Sequence, residues 1–138
     1  MENTVHYYKS ALQTNALLLE LARFELNIVS TDDNIMHDMK LFSVGSYDYI
    51  ACRDKENNIL GYMKFYETEY NAEECIWIEK AFVRPEYRKK GVYSKMYKRL
   101  RSEHTLPIMS GVLPTNKNMI AIKEKQGAKV LSIIYKIA

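Results

Sequence analysis

Five basic side chains, Arg84, Arg88, Lys89, Lys90 and Lys95, surround a single glycine, Gly91, in the segment RPEYRKKGVYSK. So much charge of one sign around a glycine suits an anion. The segment also lies where two kinds of structure meet. Residues 75–83 read as a strand, and Pro85 ends it because proline cannot donate to a ladder. Val92, Met96 and Leu100 then recur at i, i+4 and i+8, which predicts a helix over 91–103. A helix N-terminus leaves backbone N–H groups unpaired and carries partial positive charge, and together these make a phosphate site. Gly91 lets an anion approach the main chain, and successive N–H groups can form a concave nest. The ligand this predicts is a phosphorylated small molecule. The turn is neither a Walker A loop nor a G-x-G-x-x-G fingerprint, which disfavours ATP and NAD. Two other uses of the charge compete: a solvated helix face, and a nucleic-acid surface with Tyr93 and Tyr97 as stacking groups.

The rest of the chain has to position that turn. Its 138 residues suit one domain, 1–138, with one sizeable core. A hydrophobic fraction of 47% argues against disorder. The net charge is only +3, yet residues 84–101 hold eight basic residues against one acid, Glu86. The basicity is local, whereas a nucleic-acid binder more often shows a broad basic face, so nucleic acid is the less favoured partner. Cys52 and Cys75 have no close spacing and read as free, buried thiols of a reducing cytoplasm. The first ten residues lack a signal-peptide pattern, and the longest apolar run, ALLLELARF, contains Glu20. No membrane association is expected. His6, His37 and His104 lack partners at ligand spacing, so no metal is expected.

Apolar residues at Leu12, Ala16, Leu19, Ala22, Phe24 and Leu26 predict an amphipathic helix over 12–26. Thr31, Asp32 and Asp33 offer the cap and acidic first turn of a short helix through Leu41. Strand-like runs at 47–53 and 59–67 flank the polar turn DKENN, an antiparallel hairpin pattern. After the strand 75–83 and the helix 91–103 come a strand over 106–113, a helix over 117–126 capped by Thr115 and stopped by Gly127, and a last strand over 129–137. The fold class is α/β (α+β), with a parallel strand pair at the centre of the later half.

Two blocks resemble the GNAT superfamily of acetyl-CoA-dependent N-acyltransferases. VRPEYRKKGVYSKM resembles its pyrophosphate-binding pattern V-x-P-x-x-R/Q-x-x-G-x-G/A, matched at Val83, Pro85, Arg88 and Gly91, with Tyr93 at the last position where a small residue is commoner. NKNMIAIKEKQGA resembles N-x-x-A-x-x-h-Y-x-x-x-G-F, matched at Asn116 and Gly127. Met119 replaces the alanine, Lys123 the tyrosine and Ala128 the phenylalanine. The hairpin DKENNILGYMKF, with Gly61, is similar to the family's entry into its third strand. The resemblance covers residues 47–137.

The resemblance implies a largely antiparallel mixed sheet whose central parallel pair splays apart, with flanking helices. It implies acetyl-CoA as cosubstrate: Phe82 and Val83 offering main-chain contacts to pantetheine, Arg88, Lys89, Lys90, Gly91, Val92 and Tyr93 around the pyrophosphate, and Asn116 either near the pantetheine or serving as a helix cap. The reaction the resemblance implies is acetyl transfer to a primary amine of a small molecule or protein. Strand alternation places Trp77, Glu79, Ala81 and Val83 on one face and Ile76, Ile78, Lys80 and Phe82 on the other, and Glu79 is the candidate base, with pairing to a lysine as its plainer role. Many relatives protonate the thiolate with a tyrosine where Lys123 stands, and the expectation for Lys123 is a solvated helix surface. Tyr93 and Tyr135 are other hydroxyls from nearby elements. Homodimerisation stays open, as does a catalytically silent fold that binds coenzyme A or a protein partner.

Overall fold

The computed structural model describes residues 3–9, 15–26, 47–112, 115–131 and 137. The short helix expected after Thr31 lies outside them, as does most of the expected last strand; residues 129–131 are not in a strand. In chain order the elements are β1 (Thr4–Tyr8), α1 (Asn15–Leu26), β2 (Asp48–Arg53), β3 (Ile59–Tyr70), β4 (Glu73–Val83), α2 (Val92–Glu103), β5 (Ile108–Ser110) and α3 (Lys117–Lys125). The five strands form one sheet in the order β1-β2-β3-β4-β5. All neighbours are antiparallel except β4 and β5, which run parallel. This is the mixed, largely antiparallel sheet that the sequence predicts. β1 had no clear sequence signal, because its alternation covers only Thr4–Tyr8 and nothing local marks its partner.

The β2–β3 turn closes as its composition predicts. The Asp54 carboxylate accepts from the main-chain N–H of Glu56 at 3.0 Å and of Asn58 at 2.9 Å, and Asn57 takes a left-handed φ of 70°. Each face of the sheet buries its own apolar cluster. Ile50, Cys52, Met63, Phe65, Ile76 and Ile78 pack under Val92, Met96 and Leu100 of α2, the predicted stripe. Tyr49, Ala51, Ile59 and Tyr62 pack under α1. The buried side of α1 is Leu17, Leu18, Leu21, Ala22 and Phe24, while Ala16 is exposed; its stripe is turned from the expected phase because the sheet selects the bulkier leucines. Cys52 and Cys75 are buried free thiols.

Arg53 fastens α1 to the sheet. Its guanidinium donates two bonds to Glu20, at 2.7 and 2.8 Å, one to the Tyr8 hydroxyl at 3.0 Å and one to the Asn57 carbonyl at 3.0 Å. The hydrogen bonds to Glu20, opposed by burial, hold its pKa above the usual arginine value. Arg53 is only 5% exposed, so removing its guanidinium leaves the Glu20, Tyr8 and Asn57 oxygens it serves without their donor, which is costly. Arg53→Met is expected to lower stability by about 3 kcal/mol, the low end for a buried pair because Glu20 is half exposed. Urea denaturation measures this. Adding Glu20→Leu should recover much of the loss, since apolar residues can replace a desolvated pair.

Candidate functional site

β4 carries the first element of the site. Lys64 pairs with Lys80 and Phe65 with Ile78, so Glu79 is an extra residue, a β-bulge. The bulge shifts the alternation. Ile76 and Ile78 face the α2 cluster together with Ala81 and Val83, while Phe82 faces the α1 cluster. The expected grouping of Ile76 and Ile78 with Phe82 is therefore corrected: a run of residue types does not reveal where a strand inserts a residue. Glu79 is exposed at this bulge; burial raises the Tyr66 pKa and the Glu79 charge adds to that shift, while the same charge only opposes the lowering of Lys64 by burial. Burial acts against the charge of Lys64, holding its pKa below the ordinary lysine value. The Lys64 ammonium sits 4.0 Å from the centre of the Tyr47 ring, and Tyr47 packs edge-on against Tyr66 at 5.4 Å. Glu79 thus borders an aromatic and cationic surface on β3.

Next to the bulge the parallel pair opens. β4 and β5 are registered only from Ile76↔Ile108 to Ile78↔Ser110, extended by the Ile76 N–H bond to the Pro107 carbonyl at 2.8 Å. Among the described residues, β4 runs on from Glu79 to Val83 with β3 as its only strand neighbour. β5 is three residues long rather than the expected eight, because its neighbour diverges. On the other side, Gly61 admits β4 closely: a Cβ there would lie 2.9 Å from the Phe82 carbonyl oxygen and 3.1 Å from the Val92 side chain.

The basic turn follows. Pro85–Tyr87 make one turn of 3₁₀ helix. Lys89 and Gly91 then both take left-handed backbone angles, φ 62° and 82°, on either side of Lys90. Gly91 is the N-cap of α2, and among the described residues no side chain makes a capping hydrogen bond there. The first intrahelical bond runs from the Lys95 N–H to the Gly91 carbonyl at 3.0 Å, so the N–H groups of Val92, Tyr93 and Ser94 precede any helical partner. Among the described residues nothing lies within 4 Å of a Cβ placed on Gly91, which leaves room at the turn for a ligand. Arg88 folds back, its Nε donating to the Val83 carbonyl at 2.8 Å, which fixes a guanidinium between the end of β4 and the turn. Arg84 lies on the α1 side, stacked 4.6 Å from the Phe24 ring centre, its buried Nε without a hydrogen-bond partner among the described residues.

α3 completes the surroundings. Its N-cap is Asn116, whose side-chain oxygen accepts from the Met119 N–H at 3.1 Å; Thr115 was the expected cap. Asn116 is a residue of the same chemistry one place nearer the helix, and its amide N–H₂ remains as a donor. Lys123 is half buried, with Nζ 2.9 Å from the Tyr93 hydroxyl. The expectation of a solvated lysine is corrected: the last turn of α3 lies against the first turn of α2. The two positions where the sequence blocks depart most from their pattern, Tyr93 and Lys123, touch one another. Each departure was a signal by itself, but nothing in the sequence pairs them.

The remaining basic residues are partly committed to the fold. Arg99 bonds the Val5 carbonyl at 3.1 Å and Glu103 at 3.0 Å, and Arg101 bonds the Leu106 carbonyl at 3.0 Å. Tyr93 and Tyr97 stack on each other at 6.3 Å. A free row of cations and an open aromatic platform, which a nucleic-acid face requires, are both reduced. Among the described residues no group of His, Cys, Asp and Glu could hold a metal, and no helix is long and apolar enough to cross a membrane.

A mixed sheet whose parallel pair opens before a glycine-turned helix N-terminus is an α/β architecture with a gap between two parting strands. The chain belongs to the acetyltransferase (GNAT) family, whose model matches residues 16–128. It is an acyltransferase fold throughout its described length. Solved structures agree in fold. A ribosomal-protein-alanine N-acetyltransferase from Brucella melitensis superposes with a TM-score of 0.72 at 11% identity, covering 99% of each chain. An integron cassette protein of V. cholerae gives 0.71 at 16%, covering 100% of this chain and 93% of that one. The aminoglycoside N-acetyltransferase AAC(6')-Iy, in complex with CoA, gives 0.71 at 12%, covering 100% and 96%. No curated protein matches the sequence.

Proposed function

We propose that this protein transfers an acetyl group from acetyl-CoA to a primary amine, by direct attack within a ternary complex. The observation that carries the reading is the opening of β4 from β5 directly before the uncapped N-terminus of α2. The gap suits an extended, amide-bearing pantetheine arm, which can pair with the main chain of Phe82 and Val83 as a strand would. The turn offers N–H groups from Lys89 to Tyr93 to a pyrophosphate, including Lys90, Gly91 and Val92, with the Arg88 guanidinium beside them. The Asn116 amide would face the same gap from the start of α3. Glu79, at the bulge where the strands part, is the group placed to take a proton from the attacking ammonium, directly or through water. A substrate amine of pKa ~10.4 is mostly protonated at neutral pH, so such a base is useful. Holding both reactants in one cleft supplies much of the remaining rate. That CoA and analogues of it occupy two of the similar structures supports the choice of cosubstrate. The buried free thiols fit a cytoplasmic setting.

Acetyl-CoA is expected to raise the melting temperature, contributing about 2.7 kcal/mol at a hundredfold excess over Kd. Its affinity should depend only weakly on salt, because backbone N–H groups do most of the holding. Any DNA or RNA binding should be weak, should fall steeply with salt, and should vanish in the Lys95→Glu/Lys98→Glu variant, which spares acetyl-CoA. Transfer itself is tested by incubating candidate amines with labelled acetyl-CoA and detecting acetylated products by mass spectrometry. An unshifted melting curve at millimolar acetyl-CoA overturns the reading.

A further inference from the structure

The face of the sheet under α1 changes character along its length. The cluster beneath the helix takes in Tyr49, Ala51, Ile59 and Tyr62, with Tyr47 and Phe82 packed at its margin. Further along the same face come two rungs of the β3–β4 ladder. In the first, Lys64 pairs with Lys80; in the second, Tyr66 pairs with Trp77. The pair between them, Phe65 and Ile78, belongs to the cluster on the opposite face, so both rungs point to the α1 side. Neighbouring rings widen the aromatic rung: Tyr47 meets Tyr66 edge-on at 5.4 Å, and Tyr70 stacks on Trp77 at 6.1 Å. All four rings are half buried. In the charged rung, Lys64 Nζ is seated 4.0 Å from the centre of the Tyr47 ring. Lys80 directly follows Glu79, and these are the first two residues of β4 past its register with β5. The charged rung therefore stands at the mouth of the gap, with the aromatic rung next to it.

We infer that these two rungs hold the acceptor, and that the acceptor is an aromatic amino acid acetylated on its free α-amine. This rests on the proposed acetyl transfer and names its substrate class. Like charges directly opposite each other on a sheet are destabilising. A carboxylate bridging Lys64 and Lys80 offsets that repulsion and accepts two charge-assisted hydrogen bonds. The amine on the adjoining carbon then comes beside Glu79, the neighbour of Lys80 in the chain. Two residues of strand span roughly 7 Å. An aromatic side chain covers that distance from its α-carbon, so its ring reaches Tyr66 and Trp77 and stacks there. A half-exposed aromatic patch rimmed by charge is the kind of surface that binds a ligand. A polycation suits the place poorly, because both lysines repel it. In the transfer, the free amine nitrogen bonds to the thioester carbonyl carbon and the C–S bond breaks with its electron pair on sulfur. One N–H proton leaves to Glu79, which passes it to water, and the thiolate takes a proton from water.

Trp77 is the chain's one tryptophan, so its fluorescence reports binding at this face apart from turnover. With CoA present, L-phenylalanine is titrated against phenethylamine, which lacks the carboxylate, L-alanine, which lacks the ring, and butane-1,4-diamine. Labelled acetyl-CoA then gives kcat/KM for the same amines. Phenylalanine is expected to exceed each of the others by about tenfold or more in both measurements, the loss that follows when a charge-assisted bond goes unmade. Lys64→Met and Lys80→Met should each cost phenylalanine about tenfold more than phenethylamine, a split that a merely structural effect would not produce. Tyr66→Leu should cost phenylalanine more than alanine. Equal handling of phenylalanine and either truncated amine, or a preference for the diamine, overturns the inference and leaves acetyl transfer standing. So does a protein whose melting temperature acetyl-CoA raises but which neither binds nor acetylates phenylalanine. A melting curve that acetyl-CoA does not shift, with no amine acetylated, overturns both readings.

Discussion

Glu79→Gln is expected to slow acetyl transfer about 100- to 10,000-fold at neutral pH, the usual contribution of a positioned base. The exchange keeps the side chain's size and polarity at an exposed bulge, so stability and acetyl-CoA affinity should hardly change. The deficit should shrink as pH approaches the acceptor's own pKa, because free amine then forms without help. Initial rates for parent and variant across pH 6.5–10, with one acceptor identified by mass spectrometry, measure this. An equal deficit at every pH would assign Glu79 an orienting role through the neighbouring Lys64 and Tyr66, whose pKa values its charge already shifts.

Gly91→Val is expected to weaken acetyl-CoA binding by at least tenfold, for two reasons that can be separated. The residue has φ 82°, where an L side chain costs roughly 1–2 kcal/mol. A branched side chain would also project into the open space where nothing lies within 4 Å of a Cβ, the space a pyrophosphate needs. Gly91→Asn, which tolerates left-handed angles better, should recover most of the stability and less of the binding. Melting temperatures without ligand and calorimetry with acetyl-CoA keep the two effects apart. Binding by the valine variant as tight as the parent's would show that the turn does not hold the anion. Gly61 obeys a different constraint. Its neighbours are the Phe82 carbonyl and the Val92 side chain, so its smallness sets how closely β3, β4 and α2 pack.

The glycine turn was legible in the sequence because its chemistry is local. A strand, a proline, a left-handed glycine and an amphipathic helix each leave their mark within a few residues, and Val92, Met96 and Leu100 sit buried where their spacing put them. The β2–β3 hairpin was legible for the same reason: Asp54 and Asn57 close it through bonds to their near neighbours. What the sequence left open depends on partners distant along the chain. β1 is a strand because β2 is beside it. The faces of β4 are set by a single inserted residue, Glu79, visible only against the register of β3. The hydroxyl of Tyr7 joins Asp48, 41 residues away, by donating at 2.9 Å, and accepts from His104, 97 residues away, at 2.8 Å. Lys123 and Tyr93 are 30 residues apart and meet only because the helices after β4 and β5 converge. Backbone preference and hydrophobic period act over one turn or one strand and can be read in order. Register, and the pairing of polar groups between elements, follow from packing the whole sheet, so only the tertiary structure decided them.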